Sequence, residues 1–86
     1  MDQPLPTTSR VLQDGQLEVR EGHLVPVLAQ PQNRRLLVLN SLALSHLAVG
    51  QTLVLHLEGG EPQLITLEAI DRLALLVRYQ EGALEV

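Results

Sequence analysis

Three histidines, His23, His46 and His56, are the side chains in this sequence best suited to hold a metal or move a proton near neutral pH. Imidazole titrates in that range and ligates metals through a neutral nitrogen. The three fall on three separate predicted elements, with no HxH or HxxxH spacing among them. His56, flanked by Leu55 and Leu57, belongs to the outward phase of an alternating segment, and His46 to the exposed side of a short helix. No metal site is therefore expected. Glu58, Glu61, Glu68 and Asp71 gather around a predicted hairpin. A general acid and base pair would need one of them desolvated to raise its pKa, whereas acidic residues at a hairpin ordinarily keep a sheet soluble. Ser9, Ser41 and Ser45 are possible nucleophiles, but none lies in a GxSxG elbow.

Two absences exclude more than these residues suggest. Every basic residue is an arginine, and the chain has no cysteine. Schiff-base chemistry, a P-loop lysine, thiolate nucleophiles and thiolate metal sites all drop out. The glycines are scattered as turn and cap residues rather than gathered in a phosphate-cradling loop. The reading is of a chain that is not an enzyme, with no catalytic residue, cofactor or metal.

The elements that would position any site read as strands. Residues 16–20 and 23–28 are apolar-alternating segments around Glu21-Gly22, which signals a hairpin, and Pro26 argues that the second of these strands lies at an edge. Residues 35–39 form a short apolar run that fits a strand buried on both faces. Asn40 and Ser41 are good N-cap residues, and Gly50 suits a left-handed terminator, so a helix of two turns or fewer is expected between them. Residues 52–58 alternate, Gly59-Gly60 supplies a hairpin turn, and residues 63–70 return. Asp71-Arg72 reverses the chain into a last strand at 73–80. The fold class expected is all-β with one short helix, a small barrel or sandwich of about six short strands. Residues 1–10 read as a flexible N-terminal arm and 11–86 as a single small β domain.

The chain has 86 residues and a formal charge of −4, with one aromatic residue, Tyr79. Its core must therefore be aliphatic. Without cysteine a reducing compartment is the natural location, and the cytoplasm is expected. No apolar run approaches the roughly 18–20 residues that span a bilayer, so no membrane insertion is expected. The net charge disfavours nucleic acid as a partner, and no aromatic residue near Arg34 and Arg35 is available to stack bases.

Residues 36–39 and 73–77 are apolar on both phases, so one side should pack inside the chain while the other meets a second subunit. In the last strand, alternation separates Leu73, Leu75, Val77 and Tyr79 from Ala74, Leu76, Arg78 and Gln80, and the second set is the expected contact. Leu76, Arg78, Arg34 and Arg35 are the candidate partner-binding residues. The expected function is a non-enzymatic protein–protein interaction module, a homodimer or a small subunit of a larger assembly.

Residues 35–67, with Leu44-x-x-Leu47-x-x-Gly50 leading into the strand at 52–57, resemble the short-helix, glycine, strand passage of swapped-hairpin transition-state regulators of the AbrB type, without that family's proline at the head of the helix. The same passage, with residues 67–79 after it, is similar to the surface-presentation domains of flagellar and type III secretion switch proteins, although this chain is shorter by about one hairpin. The first resemblance implies an alternative function, a DNA-binding transcription regulator or antitoxin. Arg34 and Arg35, with Arg10 and Arg20, would then build one positive face.

Overall fold

The structure is a computed structural model and describes residues 12–82. The arm expected over 1–10 lies outside the described residues. Six strands form, β1 (Gln13–Val19), β2 (His23–Gln30), β3 (Arg35–Val38), β4 (Thr52–Leu57), β5 (Gln63–Asp71) and β6 (Leu76–Glu81), with a single short helix, α1 (Ser41–Leu44), between β3 and β4. They close into one antiparallel barrel in the order β1-β2-β3-β6-β5-β4. Each half of the chain is thus a three-stranded meander. The halves meet along two seams, β1 against β4 and β3 against β6, on opposite sides of the barrel. Of the barrel and the sandwich left open by the sequence, the chain forms the barrel.

Alternation fills the interior. Leu17, Val27, Leu36, Val38, Leu55, Ile65 and Val77 are almost wholly buried, and Leu44 and Leu47 from the α1 segment cap one end. Tyr79 is 1% exposed and is the largest of the fully buried side chains. The Asn40 side chain accepts the Leu42 amide at 2.9 Å, as its cap position predicts. At the other end of that segment, Gly50 takes φ 90° and donates its amide to the Leu67 carbonyl at 2.8 Å, so the terminator also docks the loop onto β5.

Three local readings need correction. Pro26 does not mark an edge strand, because β2 lies between β1 and β3. The β2–β3 ladder, however, begins only at Val27, and the Pro26 carbonyl accepts the Leu39 amide at 3.2 Å. In an antiparallel strand a residue's N–H and C=O point to the same side. The missing proline N–H therefore falls at the ladder's end, where it costs no internal bond.

The last strand begins at Leu76 rather than Leu73. Residues 72–75 form a turn whose amides at Leu73 and Ala74 both donate to Asp71 Oδ1, each at 3.1 Å, and Leu73 is 99% exposed at its tip. Leu73 therefore does not share the inward face of Val77 and Tyr79. The first hairpin turns through three residues, Arg20–Gly22, with Glu21 at φ 58° and Gly22 at φ 79°. In β5 the register slips between Leu67, paired with Tyr79, and Ala69, paired with Arg78. Glu68 is the extra residue of a bulge, and Ile70 rather than Ala69 then packs against the core. Among the described residues, no helix is long and apolar enough to cross a membrane.

Candidate partner-binding faces

Sheet register decides which side chains share the outside of the barrel. Leu28 pairs with Leu37, and Leu37 pairs with Leu76. All three belong to the outward phase and stay half-buried, so a row of leucines crosses β2, β3 and β6. In the adjoining row Gln30 pairs with Arg35, and Arg35 pairs with Arg78. Leu12, 42% exposed, lies against both rows and helps line a shallow apolar groove of about 140 Å³ with Leu28, Leu37 and Leu76.

Three of the four residues singled out from the sequence, Leu76, Arg78 and Arg35, are thus neighbours on one wall. Arg34 stands apart from them in the turn before β3. It is held at φ 54°, and its carbonyl accepts the Tyr79 amide at 2.9 Å. Burial pushes the Tyr79 phenol above its ordinary value of 10.0, Glu81 adds to the rise, and the Arg34 charge opposes it. Two arginines directly across a ladder repel. Arg78 is partly compensated, since its Nε lies 3.3 Å from Glu68 Oε1, a contact made possible by the bulge.

The opposite seam carries the other sign. The Glu58 amide donates to the Asp14 carbonyl at 3.1 Å, one step beyond the pairing of Gly15 with Leu57, so two exposed carboxylates face each other across β1 and β4. Two rows further, Glu18 pairs with Val54, and Val54 with Leu64, which is 50% exposed. His56 Nε2 bonds Glu18 Oε1 at 3.2 Å on the same wall. Gly15 lets β1 approach this closely, because a Cβ there would stand 2.7 Å from the His56 carbonyl oxygen and 2.8 Å from Leu57 Cδ2.

The remaining histidines do not converge with His56. His23 and His46 line an open groove of about 320 Å³ between the tip of the first hairpin and α1, with Arg20, Leu24 and Leu42. Among the described residues no group of three or more histidine and carboxylate side chains could hold a metal ion. The hairpin carboxylates are also dispersed, with Glu68 on Arg78, Asp71 capping its turn and Glu58 opposite Asp14.

Leu28 and Asp14 were not singled out from the sequence, and Leu37 only as one residue of the two-faced run 36–39. Their outward phase was legible, but their alignment follows from pairings between strands. No family model, curated protein or solved structure matches the chain.

Proposed function

We propose that this chain is a non-enzymatic protein–protein interaction module of a reducing compartment such as the cytoplasm, which associates through the outer wall of β2, β3 and β6. The observation that carries the reading is the leucine row Leu28, Leu37 and Leu76 beside Arg35 and Arg78. Fully burying a leucine is worth about 1.5–3 kcal/mol, so three half-buried ones offer a few kcal/mol on contact. Association costs at least about 4 kcal/mol in lost freedom. The row needs its surroundings, which include Leu12 and Leu39 at 42% and 51% exposure.

Light scattering coupled to size exclusion at micromolar concentration tests the self-association form of this reading. A mass of at least two chains is expected. Leu76→Asp should lower that mass while leaving the β-type circular dichroism intact. A wild-type chain that stays monomeric over a wide concentration range rejects self-association.

A DNA-binding regulator is the second reading, favoured by the adjacent Arg35 and Arg78. The acidic opposite seam and the Glu68 carboxylate on Arg78 weigh against it. Sub-micromolar, steeply salt-dependent binding to duplex DNA that disappears on Arg34→Glu with Arg35→Glu would replace the first reading with this one.

A further inference from the structure

Each seam of the barrel places two like charges side by side, and the two seams have opposite sign. At the β3–β6 seam Arg35 is directly paired with Arg78, and at the β1–β4 seam Glu58 is backbone-paired with Asp14. Like charges directly opposed on neighbouring strands destabilise the chain that holds them. The ring order leaves one strand between the seams on either side, β2 one way and β5 the other, so the two pairs lie on opposite walls. What is unfavourable twice within one chain is complementary between two.

Resting on the interaction-module reading above, we infer that copies of this chain join head to tail, the Arg35–Arg78 wall of one docking on the Asp14–Glu58 wall of the next. Apolar surface accompanies the charge on each side. The leucine row adjoins the arginines, and Val54 and the half-exposed Leu64 lie on the acidic side. A contact between two different walls leaves both outer walls free, so it propagates into a ring or filament rather than stopping at an isologous dimer. Charge pairs at its centre make it sensitive to salt.

Two single substitutions test the inference. Arg35→Glu turns one like-charge pair into an opposite-charge pair within the chain, and Glu58→Arg does the same at the other seam. Each variant alone is expected to keep its β-type circular dichroism, unfold at a temperature no lower than wild type, and associate at least roughly tenfold more weakly. Mixed in equal amounts they should associate more tightly than either variant does alone. The Arg35→Glu chain retains a native acidic wall, the Glu58→Arg chain a native basic wall, and those two walls fit. Arg35→Gln and Glu58→Gln, which remove charge without reversing it, should show the same pattern more weakly and stand in if a reversal perturbs folding.

If the wild type associates and Arg35→Glu weakens it while Glu58→Arg does not, the contact is between identical walls. The head-to-tail inference then fails while the interaction reading stands. Failure of the mixture to pair is equally fatal to the inference. A monomeric wild type removes the inference together with the self-association form of the reading, and leaves a different protein as the partner.

Discussion

The Leu75 carbonyl accepts the Val38 amide at 2.9 Å while Leu75 itself is held in the left-handed region at φ 59°. Its side chain is half-buried and packs against the core. This conformation costs a β-carbon-bearing residue about 1–2 kcal/mol, a penalty glycine escapes. The usual order of substitutions should therefore invert. Leu75→Ala forfeits packing and keeps the strain, so a loss of about 2 kcal/mol is expected. Leu75→Gly forfeits the same packing but relieves the strain, so it should lose about 1 kcal/mol less than Leu75→Ala. Urea midpoints of the two variants decide it, and an alanine variant more stable than the glycine variant contradicts the account.

Arg34 has the same backbone geometry, at φ 54°, and an exposed side chain. With little packing to lose, Arg34→Gly is expected to leave stability unchanged or raise it by up to about 1 kcal/mol. A clear loss in thermal unfolding would mean that the side chain makes a contact of its own.

At Gly15, on the β1–β4 seam, an added methyl would meet the main-chain oxygen of His56 as well as the Leu57 side chain, and the main chain cannot simply rotate away. Gly15→Ala should destabilise the barrel by about 1–3 kcal/mol. Native-state hydrogen exchange should show the protection lost first at the amides that cross this seam. An unperturbed variant would show that the strands can part without cost.

Tyr79 offers an unusually clean pH experiment. The chain has no lysine, no cysteine and one tyrosine, and arginine stays protonated beyond pH 12. Side-chain titration between about pH 9 and 12 thus belongs to Tyr79 alone. Its folded pKa lies above 10.0, chiefly through burial. The folded state therefore holds its proton more tightly than the unfolded state. The resulting stability is fully present below pH 10 and is lost as the pH rises through the folded value. Denaturant midpoints should be level from pH 8.5 to 9.5 and fall above pH 10, and Tyr79→Phe should flatten that fall. An equal alkaline decline in both proteins would assign it elsewhere.

All six strands, the short helix after Asn40 and the turn glycines Gly22, Gly50 and Gly59 were legible in the sequence, because alternation, capping and positive φ are local properties of a few neighbouring residues, whereas Gly15, read as a turn or cap glycine, lies inside β1. The last turn misled for a local reason as well. Residues 73–75 are apolar and look like strand, yet Asp71 caps a turn across them, and Leu75 accepts a left-handed backbone that leucine ordinarily avoids.

What the tertiary structure alone decided is which strands pair and in what register. Barrel closure joins Gly15 to Leu57 across more than half the described chain, and the Glu68 bulge reverses which residues of β5 face inward. A slip of one residue in either ladder would turn every side chain to the other face. Leu37 beside Leu76, Arg35 beside Arg78 and Asp14 beside Glu58 are all products of that register. The sequence by itself determined that leucines, arginines and carboxylates point outward. Only the closed barrel could align them into two opposed walls, because residues separated by some forty positions become neighbours through backbone hydrogen bonds that no local pattern encodes.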